Sequence, residues 1–309
     1  MSAADEDALG QAFTAHRTHL IGVAYRLTSS MADAEDAVQE AWLRLSMLGT
    51  EQRAGIRDLR AWLTTVTGRI CLDRLRSAAV RRESYVGPWL PEPMVTPLPG
   101  QPGENPAEAI VRDDEVRMAA LVVLDRLPPE QRVAFVLHDA FGCTFAEIAD
   151  TLGCSVPAAR QYASRGRRAV ADADPPPRAA LAEQQELLGR LLAAVAAGDV
   201  PAVVALLHPD AVLVGDANGK ASTARRPVRG QDKVARLSVG LLRRYTTAAL
   251  DTARFVLVNG DLGLTIAPIP SDGARPALDA HVVTFAVRDG RIEVIYDVAN
   301  PDKLTRVPA

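Results

Sequence analysis

The sequence predicts a multidomain fold in which two all-α domains, the second with a helix-turn-helix, precede a cone-shaped α+β domain. Apolar residues recur at helical spacing through the first half of the chain. Two proline-rich breaks interrupt the pattern, and the last third contains strand-like runs joined by tight-turn dipeptides. A length of 309 residues allows two or three such domains.

The two proline-rich breaks set the predicted domain boundaries. Seven prolines lie from Pro88 to Pro106, and three more are consecutive at Pro175–Pro177. Proline fixes φ and lacks a backbone donor, so no helix can cross these segments, and we expect the first to be a semi-stiff, extended connector. The predicted divisions are domains at residues 8–85, 108–172 and 179–306, with a linker at 86–107.

The first domain is predicted to contain three helices. Apolar residues at helical spacing mark the first helix from Leu9 to Leu27. Ser29 or Ser30 can cap the second helix, whose apolar stripe ends at Leu45. The third helix is expected from about Leu59 to Ala79.

The second domain carries the signature of a helix-turn-helix. Thr144 and Glu147 form a capping box before a short apolar run. Gly153 can adopt the left-handed conformation that ends this helix, and Ser155 caps the next one. The outer side of that next helix is basic, as in a DNA reader, although any helical hairpin with a basic solvent-facing side would show the same pattern.

The third domain changes from helices to strands. Helices are predicted from about Ala179 to Ala197 and from Ala202 to Leu207. Asn259-Gly260 and Asp289-Gly290 are strong hairpin turns, which favours a curved antiparallel sheet. The predicted strands are Ala211–Gly215, Phe255–Val258, Leu262–Ala267, His281–Val287 and Ile292–Val298.

Charge is distributed unevenly on a chain whose net charge is only -3. Eight arginines lie from Arg53 to Arg82 against two acids, and four lie from Arg160 to Arg168 against none. Two local basic zones indicate contact with a polyanion at defined faces. The three cysteines have no metal-ligand spacing, and neither a signal core nor a membrane-length apolar run occurs. We therefore predict free thiols, no metal, no cofactor, no membrane partner and a cytoplasmic protein.

Three segments, in order, resemble the extracytoplasmic-function sigma factors of bacterial RNA polymerase. Residues 33–45 (DAEDAVQEAWLRL) are similar to the polymerase-binding helix of that family, and residues 62–76 (WLTTVTGRICLDRLR) to its minus-ten-reading helix. Residues 127–132 (LPPEQR) and 145–153 are similar to its minus-thirty-five helix-turn-helix. Arg69, Pro157 and Gly166 depart from the family pattern, and the last two can alter the course of the recognition helix.

The resemblance implies a protein that binds core RNA polymerase and promoter DNA and directs transcription initiation. The candidate polymerase-binding residues are Asp33, Asp36, Gln39, Glu40 and Leu43. Arginines of the third helix and its extension are expected to meet phosphates, and the first turns of the recognition helix to meet base edges. The candidate DNA-binding residues are Arg69, Arg74, Arg76, Arg81, Arg82, Ala158, Arg160, Gln161, Ser164, Arg165 and Arg168.

The last third resembles SnoaL-like domains, and three short motifs resemble signature segments of the sigma factors that carry this extension. We expect these motifs to make a regulatory contact between the linker and the C-terminal domain. The candidate residues are Trp89, Leu90, Pro91, Glu92 and Pro93 in the linker, Asp216, Gly219 and Lys220 in a loop, and Asn300, Pro301, Asp302, Lys303 and Leu304 near the end.

Two other functions compete with a sigma factor whose output is modulated by its fused domain. One is a one-component regulator that senses a small molecule, which needs neither the polymerase helix nor the minus-ten helix. The other is a cyclase-like or isomerase-like enzyme with a DNA-binding appendage. His281, Tyr296 and Asp297 are candidates to line a pocket in the cone that holds a small-molecule ligand, but no catalytic pair can be assigned, and we predict no enzymatic activity.

Overall fold

The computed structural model describes residues 3–82, 85–99, 116–245, 251–271, 273 and 276–307. The chain divides into two compact units, each built from two stretches: Met1–Ser84 with Ala120–Pro175, and Tyr85–Ala119 with Pro176–Ala309. Among the described residues, no helix is long and apolar enough to cross a membrane.

Eight α-helices are described before residue 175. They are α1 (Ala3–Thr28), α2 (Met31–Ser46), α3 (Thr50–Ala54), α4 (Leu59–Arg82), α5 (Met118–Leu124), α6 (Pro129–Phe135), α7 (Phe145–Leu152) and α8 (Val156–Ala173). A short π-helix, Val136–Ala140, continues α6. The structure thus confirms the three predicted helices of the first domain and adds the five-residue α3, which is too short to show a periodic pattern.

The turn between α1 and α2 depends on two adjacent serines, Ser29 and Ser30, which have different conformations and roles. Ser29 lies in the left-handed region (φ +56°) and ends α1. Ser30 is extended and its hydroxyl accepts a hydrogen bond from the backbone N–H of Asp33 at 3.2 Å, so it is the N-cap of α2.

Helices α7 and α8 form the predicted helix-turn-helix. The Thr144 hydroxyl accepts from the N–H of Glu147 (3.3 Å), while the Glu147 carboxylate accepts from the N–H of Thr144 (2.7 Å), which completes the capping box. Gly153 ends α7 at φ +65°, and Ser155 caps α8. The helix caps and the glycine turn of this motif were therefore predicted correctly.

Neither Pro157 nor Gly166 interrupts α8, contrary to the expected change in the course of this helix. Pro157 falls within the first turn, where its missing N–H has no intrahelical partner to lose. At Gly166 an added Cβ would lie 2.8 Å from Cβ of Phe135 and 2.9 Å from the carbonyl oxygen of Gln131. Gly166 thus permits close packing of α8 against α6.

Among the residues that the structure describes, the second unit combines three α-helices with a seven-stranded sheet. The helices are α9 (Leu181–Ala197), α10 (Val200–Leu206) and α11 (Gln231–Tyr245). The strands are β1 (Val95–Thr96), β2 (Leu207–Asp216), β3 (Val228–Arg229), β4 (Ala253–Val258), β5 (Asp261–Ile266), β6 (His281–Arg288) and β7 (Arg291–Val298), in the order β1-β4-β5-β6-β7-β2-β3.

The sheet is mixed, so the prediction of an antiparallel sheet was wrong for one pair. Strands β4 to β7 form an antiparallel meander, and both predicted turn pairs have positive φ at both residues. Strand β2, however, runs parallel to β7. Turn dipeptides fix the direction of consecutive strands only, and many residues separate β2 from β7, so no local signal specified this pairing.

One face of the sheet packs against helices α9 to α11 to form the core of the second unit. Leu187, Leu191, Val234, Leu264 and Phe285 are among its buried members. Helix α11, which the sequence analysis missed, places Val234, Ala235 and Val239 in this core.

The linker joins the sheet through β1. Val95 and Thr96 pair antiparallel with the end of β4. Asn259, a fully buried turn residue with positive φ, accepts from the N–H of Met94 at 3.2 Å and donates through Nδ2 to the carbonyl of Val116 at 2.8 Å. The expected extended conformation is present at Val95–Thr96, where the linker forms a strand of the C-terminal sheet. Residues 100–107 of the predicted linker lie outside the described residues.

Candidate polymerase, DNA and linker-binding sites

The candidate polymerase-binding residues follow one side of α2. Asp36, Gln39 and Leu43 are exposed, while Ala34, Ala37, Val38, Ala41 and Leu45 are buried. Glu40 forms an i,i+4 ion pair with Arg44 at 2.6 Å. The exposed side continues to Met47, whose side chain is 84% exposed and which the sequence analysis did not select. The result is a stripe of acidic, amide and apolar groups facing solvent.

Arg74 links the acidic end of α2 to α4. Its guanidinium donates to Asp33 at 3.0 Å and to Asp36 at 3.5 Å. This predicted phosphate-binding arginine is thus paired within the protein, and it offsets one of the two negative charges of Asp33 and Asp36.

Two other candidate arginines of α4 contact the second helical region of the same unit. Arg69 donates to the backbone carbonyl of Asp150 at 2.9 Å and pairs with its carboxylate at 2.8 Å. Arg76 donates to Glu130 at 2.9 Å. Burial alone would raise the pKa of Glu130, but the hydrogen bond and charge of Arg76, together with a backbone hydrogen bond, outweigh burial and the net pKa is lowered.

Arg69 and Arg76 line a groove of about 330 Å³ whose other walls are Arg44, Leu72, Asp73 and residues 150–153. Close packing between α4 and α7 is possible because residue 68 is glycine: an added Cβ would lie 2.9 Å from Cγ2 of Thr151. The side chains of Arg81 and Arg82 lie outside the described residues.

The recognition helix α8 presents a polar outer side. Arg160, Gln161, Ser164, Arg165 and Arg168 are exposed, and Ala158 is half-buried. Ala159, Ala163 and Gly166 lie on the buried side. The Arg160 guanidinium lies 5.5 Å above the Phe145 ring, and Arg168 makes a long ion pair with Asp172 (3.6 Å). The helix therefore displays donors of the kinds that read major-groove edges.

A buried guanidinium that the sequence analysis did not single out ties α6 to the end of α1. Arg132, 1% exposed, donates to Ser29 Oγ at 2.7 Å and to the carbonyl of Arg26 at 3.2 Å. It also forms an ion pair with the buried Asp125. In sequence, Arg132 is one of several arginines in polar context, and no local pattern shows that it is buried.

In the second unit, the structure brings the three candidate regulatory motifs together around Asp216. The Asp216 carboxylate is fully buried and accepts from the N–H of Leu90 (2.7 Å), the Lys303 ammonium (2.7 Å) and the Tyr85 hydroxyl. Lys303 also donates to the Leu90 carbonyl and lies 3.2 Å from the centroid of the Trp89 ring. We call Tyr85, Trp89, Leu90, Asp216 and Lys303 the linker lock.

The linker lock keeps Tyr85 protonated and oriented. Burial and the hydrogen bond to Asp216 both raise the pKa of the Tyr85 phenol. Asn300 Nδ2 donates to the same hydroxyl oxygen at 2.9 Å. The phenol therefore acts as a donor to Asp216 and an acceptor from Asn300.

The remaining candidate residues surround the linker lock. Lys220 pairs with Asp302 at 2.5 Å, and both side chains are about half exposed. Gly219 has φ +70° and approaches Val86. Arg306 lies 3.9 Å from Glu92, whose side chain is buried. Residues Pro91 and Pro93 are buried, Leu304 is half-buried, and Pro301 begins a 3₁₀ turn (Pro301–Lys303) capped by Asn300.

A second polar group lies on the helix-facing side of the sheet. His281 Nδ1 and Asp297 Oδ1 are 2.7 Å apart, and Thr223 donates to the other Asp297 oxygen at 2.5 Å. His281 Nε2 is buried and has no hydrogen-bond partner among the described residues. Tyr296, the third pocket candidate, belongs to the opposite face, because side chains alternate along β7.

The His281–Asp297 pair predicts a pH-dependent contribution to stability. Burial lowers the pKa of His281, but the charge and hydrogen bond of Asp297, together with Asp279, outweigh burial and the net pKa is raised. A raised folded-state pKa stabilises the fold below the unfolded value and loses that effect as pH rises through the folded value. His281→Gln should therefore lower the melting temperature more at about pH 5.5 than at about pH 8.5. Equal losses at both pH values would contradict a charged histidine.

Comparison with known proteins places the domains of this chain in recognised families. "Sigma-70 region 2" matches residues 12–81, "Sigma-70, region 4" matches residues 117–170, and "SnoaL-like domain" matches residues 188–295. The fold and these matches define a sigma-70 family protein with a SnoaL-like extension.

The similarity to individual proteins is extensive. The ECF RNA polymerase sigma factor SigJ of Mycobacterium tuberculosis is 51% identical over 96% of this chain and 93% of its own length. The crystal structure of that organism's extracytoplasmic function sigma factor SigJ aligns with TM-score 0.80 and 49% identity, covering 96% of this chain and 98% of the other. A probable ECF sigma factor of the same organism, SigI, is 35% identical over 66% of this chain and 68% of its own.

The chain belongs to the extracytoplasmic-function RNA polymerase sigma factors. As a member of this family, it binds core RNA polymerase and promoter DNA and directs promoter-specific transcription initiation.

Proposed function

We propose that this sigma factor binds core RNA polymerase through the exposed side of α2 and reads two promoter elements through α4 and α8. Its transcriptional output is set by the SnoaL-like domain, which acts through the linker. The observation that supports regulation by the SnoaL-like domain is the linker lock. In it, the segment that joins the two sigma regions is hydrogen-bonded to the C-terminal domain at Asp216 and Lys303. We further propose a cytoplasmic regulator without catalytic activity, whose cone can hold a small molecule near His281.

The polymerase-binding role of α2 is tested by transcription in vitro. Full-length protein with core RNA polymerase should start transcripts from a shared sequence element in a promoter library, and Leu43→Asp should abolish both holoenzyme formation and transcription. Phe255→Asp is the matched control, because Phe255 is similarly exposed (46%, against 51% for Leu43) but lies in the second unit. If Leu43→Asp formed holoenzyme normally, the assignment of α2 would be wrong.

The contacts of Arg69 and Arg76 predict that the free protein binds DNA weakly. Asp150→Ala with Glu130→Gln should remove the ion pairs of both guanidiniums, while the hydrogen bond from Arg69 to the backbone carbonyl of residue 150 is kept, and should strengthen binding of the free chain to duplex DNA. Exposed ion pairs contribute about 0.2–1 kcal/mol each, so the expected gain is several-fold in Kd. The control is Asp139→Ala, which removes an ion pair of the same unit with Arg167, outside α4. Fluorescence anisotropy of a labelled duplex gives the three affinities, and equal affinities would contradict the prediction.

Specificity at the upstream element should depend on the outer side of α8. Gln161→Ala removes a side chain that can make a bidentate contact with adenine, so discrimination between upstream sequences should fall by about 1–3 kcal/mol. Arg168→Ala should instead weaken binding to all sequences similarly, as expected for a phosphate contact. Competition between matched and altered upstream elements on holoenzyme separates the two. Equal losses on every sequence from both variants would refute this division of roles.

A further inference from the structure

The SnoaL-like domain carries a basic face that neither sigma region explains. Residues 225–244 contain seven lysines and arginines against a single acid, Asp232. All seven are exposed, and they are Arg225, Arg226, Arg229, Lys233, Arg236, Arg243 and Arg244. This concentration is unusual on a chain whose net charge is -3.

Helical geometry places the basic residues of α11 on one side. At 3.6 residues per turn, Lys233, Arg236, Arg243 and Arg244 fall within an arc of about 100°. Buried Val234 and Ala235 lie on the far side of the helix, in the core of the unit, and buried Val239 lies next to the arc. Gly240 lies in the centre of the basic arc, and an added Cβ there would meet no atom within 4 Å. The middle of the basic face is therefore accessible from solvent, because Gly240 carries no side chain there.

These cations are not used in internal ion pairs. Among the described residues, none of the seven has a carboxylate partner, whereas Arg178 and Arg288 of the same unit pair with Asp261 and Glu293 at 3.1 Å and 2.8 Å. Seven like charges repel one another, and in the folded domain no carboxylate partner among the described residues offsets that repulsion. Such a face favours an external polyanion.

We propose that the basic face, defined as Arg225, Arg226, Arg229 and the basic residues of α11, binds the phosphate backbone of duplex DNA. Phosphate contacts need exposed lysines and arginines but no base-reading pattern, and they supply affinity without sequence choice. An anionic membrane is a poorer fit, because a membrane-surface helix inserts a broad apolar face, whereas α11 buries Val234, Ala235 and Val239 in the core and exposes a single large apolar side chain, Leu241. The contact adds a DNA-binding role to the SnoaL-like domain and rests on the proposed function only in that this sigma factor works on DNA.

The experiment compares two triple variants of the full-length protein. Lys233→Gln/Arg236→Gln/Arg243→Gln removes three charges from the basic face. Arg190→Gln/Arg254→Gln/Arg291→Gln removes three exposed charges from other surfaces of the same unit. Binding to a mixed-sequence duplex is measured against salt concentration, with phosphatidylglycerol vesicles and core RNA polymerase as separate probes.

The basic-face variant should bind the duplex at least tenfold more weakly at low salt, and its slope of log K against log salt should become shallower by about 0.9 for each phosphate that it no longer neutralises. The control should keep the wild-type slope. Equal slopes in the two variants would overturn the proposal, as would a loss confined to vesicles or to core polymerase. Promoter-directed transcription by the wild-type holoenzyme is measured in parallel, so that failure of this inference is distinguishable from failure of the proposed function.

Discussion

Lys303→Met is expected to release the linker from the SnoaL-like domain and to destabilise that domain by about 3–5 kcal/mol, the usual cost of leaving one charge of a buried pair alone. Asp216 has no solvent exposure, and only 7% of the Lys303 side chain is exposed. Without the ammonium, the carboxylate keeps the Leu90 N–H and the Tyr85 hydroxyl as donors but loses its countercharge. Trp89 loses its cation–π interaction as well.

Lys220→Met is the matched control for this variant. Lys220 also pairs with an aspartate, but the two side chains are 48% and 57% exposed, and such pairs contribute at most about 1 kcal/mol. Hydrogen exchange at the Leu90 amide, which donates to Asp216, and at the Asn259 amide, which donates to Met94, measures release of the linker directly. Exchange should accelerate in Lys303→Met and change little in Lys220→Met.

The functional consequence concerns the connection between the two DNA readers. A linker that is bound to the SnoaL-like domain restricts the distance between the two sigma regions. A released linker allows a wider range of distances. Transcription by holoenzyme should therefore change in Lys303→Met, and Lys303→Met/Asp216→Asn should recover stability, by removing the buried charge, without recovering linker attachment. If Lys303→Met accelerated exchange but left transcription unchanged, the lock would be structural only.

The sequence analysis was most accurate for the structural features that a few neighbouring residues determine. The capping box of Thr144 and Glu147, the left-handed Gly153 and the Asn259-Gly260 turn each require only a few neighbouring residues, and each is present as expected. The helical domains followed by a SnoaL-like domain were also predicted correctly, because hydrophobic periodicity and family motifs extend over most of the chain.

The features that were missed depend on residues far apart in sequence. The contact of His281 with Asp297 requires the register of β6 against β7, in which Val283 lies opposite Asp297. The linker strand depends on Asn259, more than 160 residues from Met94. Helix α11 was missed because its arginines and lysine dilute the apolar periodicity, although its buried side is regular. Such pairings carry no local signal, and a single sequence does not reveal them.

Arg132→Met is expected to loosen the contact between the two sigma regions, since Arg132 is a buried cation that joins α6 to the last turn of α1. The substitution removes the hydrogen bonds to Ser29 and the Arg26 carbonyl, and it removes the positive charge that pairs with the buried Asp125 carboxylate. The expected cost is about 3–5 kcal/mol. Amide exchange of Ser29, which donates to the Tyr25 carbonyl, should accelerate, because the end of α1 loses its anchor.

Arg167→Met is the control, because Arg167 also makes a short ion pair, with Asp139 at 2.7 Å, but is 53% exposed, so its loss should cost at most about 1 kcal/mol. Arg132→Met/Asp125→Asn should be more stable than Arg132→Met alone, because the second substitution removes the buried negative charge that Arg132 had balanced. Duplex binding by the free protein then separates an effect on stability from an effect on function. If packing of the two regions restrains Arg69 and Arg76, Arg132→Met should bind DNA more tightly than wild type. The two proteins are compared at a temperature where both are folded. Unchanged binding together with faster exchange at Ser29 would show that Arg132 supports the fold without controlling access to the DNA-reading surface.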